Sequence, residues 1–288
     1  MNPDSVLRVE YEKVKLACSA DYKSIEASKA IFELVAVSLA FLRRSCKPIN
    51  LVSKVSNKEY FSFTNGSVIA RPANKALFVR SVTAIRTLWK DWLGDRISAE
   101  GFSMLSYTAA LAPCLAMEIF DRQNKKGPAT YFECYIGHLF ARTLGVNPTK
   151  AVRLPIQNRD VLMTMDFLID VGGKHRKIHL PVKMSTRERV VQAWAHQRLL
   201  DAAYGEEIYR GIMVLFSETK LDSRSLEVVE ICVPDQWLAY QTYLAHMDRI
   251  YYFDMPERYR NLTSIYPSVI SIKPFGEFFK EKESVLYS

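Results

Sequence analysis

Apolar and polar positions repeat with two different periods along this chain, and the change of period divides it. The helical period dominates the first 125 residues. Residues 5–19 place Val6, Leu7, Val9, Tyr11, Val14 and Leu16 at amphipathic spacing. Residues 24–46 carry Ile31, Leu34, Val35, Leu39 and Leu42 with apolar neighbours on a second side, as in a core or interface helix. The pattern predicts further helices over 77–93 and 98–120, with Pro113 kinking or breaking the latter. Between the helices over 24–46 and 77–93, residues 47–75 read as loop and short strands, with Asn65-Gly66 as a hairpin turn. Arg43-Arg44 ends the second helix, where positive charge suits the dipole.

Residues 121–128 (DRQNKKGP) are linker-like, and beyond them strands enter. A helix is predicted over 130–144, closed by Gly145 and Asn147-Pro148. A strand at 162–170 puts Met163, Met165, Phe167 and Ile169 on one face, and Thr164, Asp166, Leu168 and Asp170 on the other. Gly172-Gly173 turns the chain into a return strand, 177–183, where Ile178, Leu180 and Val182 alternate with His179, Pro181 and Lys183. A helix over 186–203 should pack on a sheet through Val190, Ala193, Trp194, Gln197 and Leu200. Residues 211–217 (GIMVLFS) read as a central strand covered on both faces, and 226–233 as another strand. A helix over 234–245, a strand at 249–253, a strand at 268–272 and a turn at 274–276 complete the chain. Helices on both sides of such strands make the expected class mixed α/β.

Composition adds a partner class. With 49% apolar and 24% charged residues, 288 residues suffice for a packed core. Net charge is +8, scattered rather than gathered in a tail, which suits a folded cleft for a polyanion. The five cysteines form no CxxC or Cys/His cluster, which argues for reduced thiols in a cytoplasm and against structural zinc. No signal-peptide core opens the sequence. The apolar run 31–42 is too short for a bilayer, so no membrane partner is expected.

The 162–183 hairpin holds the chemistry. Asp166 on one strand and Lys183 on the next suit metal-assisted phosphodiester cleavage. The carboxylate holds a divalent cation against a phosphate, and the ammonium orients the attacking water and offsets charge on phosphorus. An ordinary hairpin with a solvated face carries the same two residues equally well. Arg187-Glu188-Arg189 follows at the start of a helix. Arginines bond guanine O6 and N7 as a fork, and glutamate accepts from cytosine N4, so the cluster suits adjacent G·C pairs. Ser185-x-x-Glu188 is also a capping box, so Glu188 has a structural role open to it.

These residues resemble the PD-(D/E)XK nuclease superfamily, and within it the type II restriction endonucleases that read a CC/GG core. In that branch an arginine-acid-arginine reader follows the catalytic lysine after three residues, as Arg187-Glu188-Arg189 follows Lys183 here. The resemblance covers about 70 residues, 131–201. It implies a nuclease core over 126–288 with a mixed sheet flanked by helices, and a mainly helical 1–125 for support, dimerisation or DNA contacts. It also implies Mg2+, double-stranded DNA, a homodimer on a palindromic site containing CC and GG, and a cognate DNA methyltransferase.

The match has departures. Met165 stands where the family has proline, and Pro181 where it has an acid. The branch moves that acid to thirteen or fourteen residues after the lysine, where this chain has His196 and Gln197. Glu133 matches the branch's upstream helical glutamate. Thr130-x-x-Glu133 is also a capping box, so both roles stay open. The implied set is Asp166, Lys183 and Glu133 for catalysis, Asp166 and Glu133 for metal with His196 or Asp201 as helpers, and Arg187, Glu188 and Arg189 for recognition. Another nuclease of the superfamily, or a non-catalytic DNA-binding protein, are the alternatives.

Overall fold

The computed structural model describes residues 3–184 and 190–286. The chain opens with α1 (Pro3–Ala20) and α2 (Ile25–Ser45). Short strands follow: β1 (Lys47–Asn50), β2 (Val52–Ser53), β3 (Tyr60–Asn65), β4 (Val68–Ile69) and β5 (Ala73–Asn74). Then come α3 (Val82–Leu93), α4 (Ala99–Phe120) and α5 (Gly127–Leu144). The next stretch is β6 (Thr149–Ile156), β7 (Arg159–Ile169), β8 (Lys177–His179), β9 (Val182–Lys183), α6 (Val191–Tyr204) and β10 (Tyr209–Ser217). The chain continues through β11 (Thr219–Asp222), β12 (Glu227–Glu230), α7 (Pro234–Tyr243), β13 (Met247–Asp254), α8 (Glu257–Ile265), β14 (Ile272–Pro274) and α9 (Phe275–Leu286).

Contacts divide the described residues into two units. One takes Met1–His138 with Glu218–Ile231, and the other takes Leu139–Ser217 with Cys232–Ser288. The sequence pattern places its division at 125/126, in the linker-like stretch. The contacts place it inside α5, and they return 218–231 to the first unit.

In the first unit the helix ends follow their caps. Ser24 Oγ accepts the N–H of Ala27 at 3.0 Å, and Ser98 Oγ that of Gly101 at 3.0 Å. Helix α3 starts at Val82, not at 77, because Ser81 caps it by accepting from Ala84. Pro113 neither breaks nor ends α4. Its missing N–H orphans the Ala109 carbonyl, and the buried Tyr131 hydroxyl donates to that oxygen at 2.7 Å. Helix α4 is long and apolar enough by composition to cross a bilayer, but 83% of its apolar window is buried in the protein's own core.

Helix α5 starts at Gly127, whose N–H is met by Asn124 Oδ1 at 2.8 Å. Thr130 is therefore inside the helix, its N–H bonded to Lys126 O, and it is not the cap of a Thr130/Glu133 box. Gly66, at φ 59°, closes the β3–β4 hairpin as Asn65-Gly66 predicts. The strand read at 226–233 is β12, and it joins β11 and β2 in a separate three-stranded sheet.

The second unit is a seven-stranded mixed sheet in the order β14-β13-β10-β8-β7-β6, with β9 also on β10. β10 runs parallel to β13, β8 and β9, and β7 is antiparallel to both β6 and β8. β10 is buried along nearly its whole length, as its unbroken apolar run requires. Met213 and Leu215 face a core with Trp194, Trp237, Tyr252 and Tyr259. On the other face Phe216 stacks on Phe253 at 5.9 Å, and Phe253 on Phe275 at 4.4 Å. Pro274 ends β14 and Phe275-Gly276 opens α9, with no separate turn between them. The tail strand is Ile272–Pro274, later than 268–272, and α8 has no counterpart in the sequence reading.

Candidate active site

The hairpin that carries Asp166 and Lys183 is interrupted, and the interruption builds the site. β7 and β8 pair as Leu168↔His179 and Ile169↔Ile178. Continued, this register sets Asp166 opposite Pro181. Proline has no N–H to give, so the ladder stops there. The chain leaves β7, and β9 pairs with β10 instead, as Val214↔Val182 and Leu215↔Lys183. The predicted single return strand, 177–183, is therefore two short strands.

Asp166 fills the gap that opens. Its Oδ2 accepts the Val182 N–H at 2.8 Å and the Lys183 ammonium at 2.7 Å. The pair is about one-fifth exposed on each side. A carboxylate that accepts one main-chain and one ammonium hydrogen bond is held in a single rotamer, and Oδ1 is left without a hydrogen-bond partner among the described residues.

Helix α6 covers this face. Val190, Ala193, Trp194, Gln197 and Leu200 are buried on its inner side, as their spacing predicts. Trp194 Nε1 donates to Gln241 Oε1 at 3.0 Å and fixes the helix rotation. Gly211 lets α6 come close, because a Cβ there would run into Met247 Sδ and meet Gln197 Oε1 at 3.0 Å.

His179 is a site residue that the sequence does not single out. It falls on the polar side of an alternating run, yet it is fully buried under α6. Gln197 Nε2 donates to Asp201 Oδ1 at 2.8 Å and to Tyr209 O at 3.2 Å. Gln197 Oε1 is therefore the acceptor in the 3.0 Å contact with His179 Nδ1, and Nδ1 carries the ring proton. His179 Nε2 is a buried lone pair with no hydrogen-bond partner among the described residues. Burial pushes this imidazole down to about 4, against the hydrogen bond it donates to Gln197, and the His196, Asp166 and Lys183 charges also act on it.

The His179 shift predicts a pH dependence of stability. The unfolded chain binds this proton below about 6.5, and the folded one only below about 4. Stability is thus complete above pH 6.5 and falls as pH drops toward 4, by about 3 kcal/mol for this group. Urea unfolding at pH 7 and pH 4.5 should show a smaller loss in His179→Asn than in the parent. Equal losses would remove His179 as the cause.

His196 lies beside this group. Its ring centroid is 6.2 Å from that of His179. Desolvation lowers its pKa, Asp166 opposes that and Lys183 adds to it. Burial raises the Asp201 carboxyl, against its hydrogen bond from Gln197. Glu133 belongs to the first unit, in the second turn of α5, where its charge acts on Tyr22. Arg187, Glu188 and Arg189 lie outside the described residues, as does the Ser185/Glu188 box. Among the described residues no group of three or more His, Cys, Asp or Glu side chains is placed to hold a metal ion.

No protein-family profile matches the chain, and no curated protein matches it. Solved structures do. The restriction endonuclease PspGI, in a complex with substrate DNA, matches at 17% identity and a TM-score of 0.45, over 69% of this chain and 88% of that one. The Type IIP restriction endonuclease Kpn2I matches at 23% identity and a TM-score of 0.81, over 96% of this chain and 97% of that one. In its fold, over nearly its whole length, this mixed α/β chain is similar to the Type IIP restriction endonuclease Kpn2I.

Proposed function

We propose that this protein is a type II restriction endonuclease that hydrolyses double-stranded DNA at a palindromic site containing CC and GG. The observation that carries the reading is the Asp166–Lys183 pair, held at 2.7 Å where Pro181 opens the sheet, in a chain with the fold of Kpn2I. The PspGI complex holds substrate DNA, and the net charge of +8 here suits the same partner.

A divalent cation fits Asp166. Oδ1 is a hard oxygen without a hydrogen-bond partner among the described residues, and an ion that shares DNA phosphate and water needs few protein ligands. Mg2+ is the ion implied by the resemblance, and when bound it supplies Lewis-acid stabilisation of charge on the phosphate oxygens. Glu133 is the proposed second carboxylate, with His196 or Asp201 as helpers. Lys183 orients the attacking water and stabilises the charge that develops on phosphorus. Arg187 and Arg189 read guanines, and Glu188 the paired cytosines. A homodimer meets the palindrome by its twofold axis, each copy cutting one strand, and a cognate methyltransferase protects the host's sites.

The test is incubation of unmethylated plasmid with the protein in Mg2+ and in EDTA. Discrete fragments in Mg2+ alone are expected, with ends that map to CC/GG sequences. A smear would keep a nuclease and discard the sequence reader. Intact plasmid in both Mg2+ and Mn2+ would leave a DNA-binding protein without cleavage.

A further inference from the structure

The surroundings of Asp166 are short of oxygen ligands. Pro181 stands two residues before Lys183, where an acid would sit. Gln197, fourteen residues after it, is spent on His179, Asp201 and the Tyr209 carbonyl. Asp201 is tied to Gln197. His196 is different. Its half-buried imidazole feels the charges of both Asp166 and Lys183. Among the described residues its hydrogen-bond approach is a 3.4 Å contact with Gln192 Nε2.

His179 Nε2 is buried without a hydrogen-bond partner among the described residues. A metal-ligating histidine hands its second ring N–H to an acceptor that fixes its tautomer. His179 presents a bare acceptor beside the His196 ring, with its own tautomer set by the Gln197 amide. We propose that His196 supplies a nitrogen ligand to the cation held at Asp166, with His179 Nε2 accepting the other ring N–H of His196, so that the site takes Mn2+ or Co2+ in preference to Mg2+. Imidazole suits these later ions, whereas Mg2+ favours carboxylate and water oxygens. The chain Asp201–Gln197–His179–His196 then holds one imidazole in place of the absent acid. This rests on the nuclease reading for the cation at Asp166.

The experiment is titration of the whole protein with Mn2+ and with Mg2+, each metal alone, with nitrogen coupling to bound Mn2+ read by pulsed electron paramagnetic resonance. The parent should bind Mn2+ at least about tenfold more tightly than Mg2+ and show nitrogen coupling. His196→Ala should lose the coupling and weaken Mn2+ by about tenfold or more, and His179→Phe should weaken it by less. His196→Glu should tighten Mg2+ and lose the coupling. Thermal melting of each variant checks that it folds. No nitrogen coupling in the parent, or equal Mn2+ affinity in His196→Ala, overturns the proposal. If plasmid is still cut in that case, the nuclease reading survives it. Plasmid left intact in Mg2+, Mn2+ and Co2+, with Asp166→Asn not changing Mn2+ affinity, sinks the nuclease reading itself.

Discussion

Lys183→Ala should leave plasmid uncut while the protein still retards its cognate duplex in a gel. The ammonium is one of two donors on Asp166 Oδ2, and it sits where charge would build on a phosphate bound at that carboxylate. Removing one such preorganised group costs about a hundred- to a thousandfold in rate. Binding should survive, because the Val182 N–H still orients Asp166 and the proposed readers are other residues, Arg187, Glu188 and Arg189. The pair is only about one-fifth exposed on each side, so taking the ammonium from the Asp166 carboxylate should also lower stability, and thermal melting must show that the variant is folded. The measurement is single-turnover cleavage beside gel retardation in EDTA. Normal cleavage by Lys183→Ala would falsify the catalytic assignment and leave the Asp166–Lys183 pair as a structural bridge.

Arg187→Ala should lose cleavage by losing the site. A guanine fork contributes about 1–3 kcal/mol of discrimination, or about five- to 150-fold for each contact, and a dimer makes each contact twice. Binding to the cognate duplex should therefore fall far more than binding to an unrelated duplex at the same salt. A phosphate contact behaves differently, because its loss weakens every duplex alike and lowers the salt dependence. Equal losses on both duplexes would discard Arg187 as a reader and keep it as a backbone contact. Arg189→Ala follows the same logic at the neighbouring pair.

Much of the local structure was legible in the residues. Ser24 and Ser98 begin their helices because a hydroxyl there meets an orphan N–H within one turn. Asn65-Gly66 makes its hairpin because Gly66 takes a positive φ without strain. The inner face of α6 and the central place of β10 follow from spacing and from an unbroken apolar run. The errors fall where a distant partner decides. Pro113 reads as a kink or a break, and the helix is not broken: α4 continues, with Tyr131 donating to the orphan carbonyl of Ala109. Residues 226–233 read as a strand and form one, β12, but its pairing with β2, far back in the sequence, is invisible to a local reading.

The sequence by itself determined most of the elements, the mixed α/β class and the pairing of one acid with one lysine across a turn. Those depend on periodicity, capping and pleat, all fixed by neighbours within a few residues. Only the tertiary structure decided how the pair is held. Pro181 looks like a missing ligand in the sequence. In the fold it is the residue that stops the ladder, so that Asp166 reaches Val182 and Lys183. His179 looks like a polar-face residue, and it is buried because α6 closes over it above Gly211. Its bare nitrogen depends on which way the Gln197 amide points, and partners at Asp201 and Tyr209 set that direction. Hydrogen bonds between segments distant in sequence leave no periodic trace, so the network around the pair appears only once the chain has folded.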